Sequence, residues 1–551
     1  MEFNYNYQSI TSIENSGSRT SMSFAPDTLR LPTFFRGELK QSIAFREAIS
    51  TLHDVVVSDL RWKPKDKTAY KQWAERQNEI DLAKVASQKQ ELAQQIDEIQ
   101  AELAVLHQRR NERWTPYYAA QARYFKYLLT RDYNAWLVLD PVITVHPDEV
   151  FFECFSQDES SYGRLSIGYE VFQNVGEFSC GTTNIDYSSS LYDEFQKIRS
   201  YKTTQFEIDP TGFEVETSGE EAHKEIKIDL PDSWVRGFLQ VSSALSLPAA
   251  TIDLHPMDVH NFCLILRRHR ELVGPRSLRF QLTPGAPVKI VIDPWGTELE
   301  CPRSVYQGNT EQEIRVWGRR RLHILERLIP IADRFTVQLL GTGMPSFYTA
   351  HIGDMAFTLG LSGWTANDWS RAGQFDLLAS RADVDQFTRE KVFNTLKETW
   401  YETPDRLATQ LGLDRSVVLG ALAAYTQAGR AIWDGTKGVY RLRELTREPL
   451  PMKHLRFANE REENAVRFLD EQSVQVTVAA VDANGNHQLT GTVQEQSQLY
   501  EPTLSLNRDE QISDAECTCN WYQQNKLRKG PCEHILALRM CHARRDQLDV
   551  T

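Results

Sequence analysis

The sequence predicts a multidomain α+β protein. It comprises an N-terminal helical hairpin or coiled coil, a mixed α/β middle region, a winged helix-turn-helix and a small C-terminal unit organised by cysteine and histidine. Three observations carry this reading. The chain has 551 residues, more than one hydrophobic core accommodates. Its apolar residues change period along the chain, from helical heptads to strand alternation. Four of its eight cysteines fall between Cys517 and Cys541.

Composition narrows the class of function. The hydrophobic fraction of 41% and charged fraction of 25% are those of a soluble protein. A net charge of −13 excludes a dedicated nucleic-acid coat, so any contact with nucleic acid is local. No uninterrupted apolar run reaches the roughly 18 residues that span a bilayer. The longest candidate, Phe238 to Ile252, is broken by Pro248. The start, Met1-Glu2-Phe3-Asn4-Tyr5, lacks the basic and apolar regions of a signal peptide. The expectation is a cytoplasmic protein without membrane contact. Cys154, Cys180, Cys263 and Cys301 are scattered singly, as buried small apolar residues rather than a disulfide framework.

Residues 1–34 are rich in Ser, Asn and Thr without apolar period, and are expected to be disordered or loosely docked. In residues 35–134, Leu82, Val85, Leu92, Ile96, Ile99, Leu103 and Leu106 alternate as a and d positions of about four heptads. The pattern suits an antiparallel helical hairpin, with helices around Gly37–Asp59 and Trp114–Leu129 as packing partners, or a dimerising coiled coil. Residues 135–385 mix strand-like and helical segments: Val288–Asp293 and Thr336–Leu340 read as strands, Glu313–Leu328 as a helix. Their topology is not derivable from pattern.

Residues 388–445 are better marked. A helix over Glu390–Thr399 leads to Thr403-Pro404, an N-cap followed by proline at the first helical position. A short helix ends at Leu411. Asp414 caps a longer one that stops at Gly429. Strands Ala431–Trp433 and Val439–Leu442 flank a Gly-rich turn. That order is the layout of a winged helix-turn-helix. On its recognition helix, Arg415 is the candidate contact. Nine Lys/Arg against seven Asp/Glu make a faint electrostatic footprint for DNA, and docking to protein is the equal alternative.

In residues 455–545 the pattern alternates from Val474, turns at Asp482–Asn486 and runs into the cysteines. Cys517-Thr518-Cys519 places two thiols on one side of an extended strand. After twelve intervening residues, Cys532-Glu533-His534 lies where a turn enters a helix, which favours a thiolate at Cys532. Three thiolates and one imidazole form a closed set suited to one structural Zn2+, with no open position for catalysis. Cys541 lies seven residues beyond His534, about 10 Å along a helix at about 1.5 Å per residue, too far to share the ion. His542 is excluded likewise.

These residues resemble the SWIM zinc finger: Cys-x-Cys, a loop and Cys-x-His, preceded by strands carrying Gly491 and Tyr500 and followed by Ile535-Leu536-Ala537-Leu538. The resemblance implies binding to DNA, to partner proteins or to both, and no enzymatic activity. Segments 315–322 and 360–370 are similar to parts of large bacterial SWIM proteins encoded beside MoxR-type AAA+ ATPases and von Willebrand factor A proteins. That similarity implies such partners, with the protein as scaffold or adaptor.

Other candidate residues also admit plain structural roles. Residues 514–545 hold six Lys/Arg against three acids, and Trp521, Tyr522, Lys526, Arg528 and Lys529 interleave base and aromatic in the manner of a phosphate and base grip, or of a solvated loop over a structural knuckle. Arg319, Arg320 and Arg321 are candidates for an acidic partner, or an ion-paired helix. Gly341-Thr342-Gly343 lacks the lysine of a phosphate loop and reads as a tight turn. His255 and His260 read as capping or structural residues, and Asn367-Asp368 as a packed corner between tryptophans.

Overall fold

The structure, a computed structural model, describes residues 12–16, 19–24, 34–56, 141–156, 158–184, 195–196, 198, 200, 203–208, 232–269, 277–363, 369, 375–378, 384–445, 460–482, 486–496, 498–507 and 511–549. All of them fall within residues 1–59 and 139–551, which form one compact unit. The heptads of Leu82–Leu106, the helix expected at Trp114–Leu129 and the pair Asn367-Asp368 lie outside the described residues. No helix among the described residues is long and apolar enough to cross a membrane.

The middle region is built on an eight-stranded antiparallel sheet. Its strands are β4 (Val142–Val145), β5 (Glu149–Phe155), β6 (Ser161–Gly168), β8 (Gly181–Asn184), β10 (Ala250–Leu254), β15 (Arg334–Leu339), β16 (Ser346–Ile352) and β17 (Met355–Leu361). They lie in the order β10-β15-β16-β17-β6-β5-β4-β8. Every residue of β5 is buried, so both faces of the sheet are covered. Helix α1 (Ser42–Val56) packs on one face, where Gly163 lies under Leu52 and Val55. Helix α2 (Asp232–Leu245) packs its Phe238 against Phe155, ring centroids 4.7 Å apart.

Two smaller sheets flank it. Strands β11 (Leu278–Leu282), β12 (Pro287–Ile292), β13 (Thr297–Val305) and β14 (Gln312–Val316) form one, in the order β13-β12-β11-β14. Strands β1 (Ser12–Ser16), β2 (Arg19–Phe24), β3 (Phe35–Leu39), β7 (Phe172–Gln173) and β9 (Thr203–Ile208) form the other, in the order β1-β2-β9-β3-β7. Helix α3 (Pro256–Arg268) is capped by His255, whose Nδ1 accepts from the Met257 amide at 3.1 Å.

Three expectations are corrected here. The stretch before residue 34 contributes β1 and β2, because it finds partners in β9 that sequence distance hides. Gly37 lies in β3, whose burial alternates as a strand, and the helix starts only at Ser42. Glu313–Leu328 is not one helix: β14 ends at Val316, Gly318 takes φ 87°, and a 3-10 helix follows over Arg319–Leu328. The left-handed turn at Gly318 is what breaks the run.

Residues 386–442 form helices α4 (Gln386–Thr399), α5 (Pro404–Leu411) and α6 (Arg415–Gln427), with strands β18 (Tyr401–Glu402), β19 (Ala431–Asp434) and β20 (Val439–Leu442) in the order β18-β20-β19. Thr403 caps α5 by accepting from the Arg406 amide at 3.2 Å. The three helices enclose an apolar core of Val392, Leu396, Leu407, Val418 and Leu422. The β19–β20 hairpin is fastened to the large sheet by buried charge. Arg441, 0% exposed, donates to Asp434 at 2.7 Å and to both Asp148 oxygens at 2.8 and 3.0 Å. Arg164 of β6 pairs with Glu149 at 3.0 Å and with Asp434 at 3.4 Å. Arg443 pairs with the equally buried Glu153 at 3.1 Å.

The C-terminal unit has helices α7 (Glu460–Asp470), α8 (Asn520–Asn525) and α9 (Glu533–Asp549) and strands β21 (Val474–Val481), β22 (His487–Glu495), β23 (Gln498–Tyr500), β24 (Thr503–Leu506) and β25 (Ile512–Glu516). The sheet order is β21-β22-β24-β25, with β23 paired to β22. Ala465, Phe468, Val474, Val493, Leu536 and Ala537 form its core with Leu377.

Candidate metal centre

Local sequence explains why four side chains meet. Strand β25 stops at Glu516, so Cys517 and Cys519 leave a strand end facing the same way. Cys519 is also the N-cap of α8, its Sγ accepting from the Tyr522 amide at 3.3 Å. The chain returns through Lys526 and Gly530, both at positive φ, and Pro531 delivers Cys532 to the start of α9. His534 follows in the first turn.

The donor atoms of Cys517, Cys519, Cys532 and His534 lie within 4.8 Å of one another, and all four residues are buried. Two sulfurs on one tetrahedral zinc sit about 3.8 Å apart, so sharing an ion needs shifts of no more than about 1 Å. The imidazole supplies an independent test of fit. His534 Nε2 faces Glu495 Oε2 at 3.4 Å, whereas the buried Nδ1 has no hydrogen-bond partner. With the proton on Nε2, Nδ1 presents its lone pair to the sulfurs, as a ligating histidine oriented by a carboxylate does. The ring is held between Phe468 and Tyr500, with centroids 5.6 and 4.1 Å away.

Electrostatics agree. Hydrogen bonds from Cys517 and Cys532 hold the Cys519 thiol far below its ordinary pKa, while burial pushes Cys532 up. Burial lowers His534, but the facing sulfurs of Cys517 and Cys519 outweigh it and push the imidazole up to about 10, so an ion bound there takes the place of the ring proton. Cys519 and His534 thus favour a cation beside the sulfurs. Replacing Glu495 with glutamine is expected to weaken zinc binding roughly 10-fold or more, read by competition with a chelating dye.

Gly491 explains how α9 reaches the sheet. A Cβ there would stand 2.4 Å from Leu538 Cδ1 and 2.5 Å from the Gln475 carbonyl oxygen. Gly491→Ala is expected to lower the unfolding free energy of this unit by about 1–3 kcal/mol, checked by urea denaturation, because the backbone carbonyl cannot move aside.

The structure separates the other candidate residues. Tyr522 is buried and its hydroxyl donates to the Ala515 carbonyl, so it is not free to stack on a base. Trp521 is half-buried beneath Arg461, whose guanidinium lies 4.2 Å from the ring centroid. Arg528 is half-buried, donates to the Asn525 and Gln524 carbonyls, and runs its stem against Gly343. Lys526 and Lys529 are exposed. Arg319 and Arg321 are corrected from contact residues to interior ones. Arg319 donates to the Ser277 and Asp293 carbonyls, and Arg321 pairs with Asp158 at 2.9 Å, both buried. Only Arg320 of the three is exposed, since consecutive residues of a helix cannot share one face. Arg415 is paired with Asp405 at 2.5 Å. Arg539, one of the six basic residues of 514–545, is buried and donates to the Leu377 carbonyl. Cys541 packs against the core of the unit. Glu495 and Phe468 were not foreseen, as nothing in their spacing marks them.

The SWIM zinc finger model matches residues 497–538. No curated protein matches the chain. Among solved structures, the chain is similar to the proliferating cellular nuclear antigen of Entamoeba histolytica, with a TM-score of 0.33 and 9% identity over 60% of this chain and 98% of that one.

Proposed function

We propose that the protein is a non-enzymatic, zinc-binding interaction protein whose finger presents a groove to a partner protein. The groove carries the reading. It measures 640 Å³ and is lined by Thr477, Thr490, Thr503, Glu501, Glu516 and Lys526, with the ligand Cys517 in its wall. Two carboxylates and one ammonium repel a phosphate backbone and suit a segment bearing lysine or arginine. The matched stretch 497–538 carries four Lys/Arg against six Asp/Glu. Tyr522 and Arg528 are committed to the fold of the finger.

The same reading extends to residues 388–445. Helices α4 to α6 and the hairpin support a winged helix-turn-helix that works as a joint within the chain. No residue of α6 is more than partly exposed, and the hairpin is tied down by Arg441 and Arg443. A groove-reading helix needs exposed side chains at its N-terminal half. The MoxR-type ATPase and von Willebrand factor A partners rest on the resemblance alone and are to be tested by co-purification.

The zinc-loaded full chain should bind a fluorescent lysine- and arginine-rich peptide, and the double substitution Glu501→Lys, Glu516→Lys should weaken this at least 10-fold. Salt-dependent binding of a labelled DNA duplex, lost on Lys526→Glu and Lys529→Glu, would overturn the reading in favour of nucleic acid.

A further inference from the structure

A second pair of metal-ligating side chains lies on the same unit, outside the closed cluster. His487 opens β22 and His542 lies in α9, two turns beyond His534. Eight residues of helix are about 12 Å, so this pair shares no ion with the cysteines. His542 Nε2 and His487 Nδ1 are 3.4 Å apart, with ring centroids at 5.4 Å and an interplanar angle of 55°. That separation lies beyond the roughly 2.7–3.2 Å of ordinary N–H···O hydrogen bonds. It matches two imidazole nitrogens on one tetrahedral ion, about 3.3–3.4 Å apart when each bond is about 2.0–2.1 Å.

We propose that His487 and His542 form a second, exchangeable site for a divalent transition-metal ion of intermediate softness, such as Zn2+ or Ni2+. Imidazole pairs select such ions over Mg2+ and Ca2+, which take oxygen. Both residues are half-buried, so water completes the coordination and the ion exchanges with solvent. Strand and helix hold the two rings at fixed separation, so binding needs little reorganisation. An ion here clips the middle of α9 to β22, the strand that also supplies Glu495 to His534.

The test uses the zinc-loaded full chain dialysed against Ni2+, with nickel and zinc measured in the same samples by mass spectrometry. Wild type should take up one nickel without losing zinc, and His487→Gln and His542→Gln should each reduce nickel affinity at least 10-fold with zinc unchanged. Nickel uptake equal in wild type and both variants, or none in wild type, overturns the assignment. Should a variant also lose zinc, the deciding measurement is electron paramagnetic resonance of Cu2+ added to wild type. Two equatorial imidazole nitrogens are expected there, and one or none overturns the assignment.

Discussion

Cys532→Ser is expected to abolish zinc binding and to melt the C-terminal unit from α7 to α9. The substitution leaves three donors around a buried pocket whose fourth wall is a sulfur at the start of α9. Structural zinc supplies about 10–16 kcal/mol in isolated finger peptides, as much as the whole stability of an ordinary domain. The packing of Phe468, Val493 and Leu536 offsets part of its loss. Amide exchange should show protection lost across β22, β24 and α9 while β5 and β6 stay protected, and retention of protection in α9 would refute the zinc dependence. The pH response has a definite sign. Cys519 is held as thiolate by its neighbours, so its folded pKa lies below its unfolded one. Its contribution is present at high pH and is lost as pH falls, when protons compete with the ion.

Arg441→Ala should be the most destabilising substitution outside the finger, costing about 3–5 kcal/mol by urea denaturation, because it strands buried carboxylates rather than removing a surface pair. Asp434, Glu149 and Asp148 would then face one another with only Arg164 and Lys437 between them. His146 gives the same interface a pH dependence. Burial, helped by Arg441, lowers its imidazole to about 3, and its neutral Nε2 donates to the Leu442 carbonyl at 2.6 Å. The unfolded chain takes that proton near 6.5, so stability is fully present above this value and is lost as pH falls towards 3. From pH 7 to pH 5 the loss from this residue is about 2 kcal/mol. His146→Gln should flatten that slope. Asp148 acts at lower pH. Burial would raise it, but the Arg441 hydrogen bond prevails and holds it at about 2, so its contribution is lost only below about pH 4.

The four candidate metal ligands were legible because their information is local: two short spacings and a proline before a helix. The caps at His255 and Thr403 were legible for the same reason. The large sheet was not. Strand β6 pairs with β17, so Leu165 meets Phe357 across nearly two hundred intervening positions, and no periodicity reports such a partner. Charge was the other blind spot. Arg319, Arg321, Arg441 and Arg443 look like surface residues in a sequence and prove to be interior ones, because each finds a carboxylate or carbonyl contributed by a distant segment. The basic aromatic loop misled in the same way, since Tyr522 spends its hydroxyl on the Ala515 carbonyl.

The finger is also not a portable cassette. The matched stretch begins at residue 497, yet β24 pairs with β22, α9 rests on Gly491, and His534 leans on Phe468, all contributed from before that boundary. Gln511 reaches the Ser246 carbonyl at 2.6 Å and Arg539 the Leu377 carbonyl at 3.1 Å, so the unit is rooted in the middle of the chain as well. Grafting the Cys-x-Cys and Cys-x-His segment onto another host would transplant the ligands without the scaffold that aims them. Recombination that moves this finger between proteins must therefore carry the preceding helix and hairpin with it, and acquire a new abutment for Arg539.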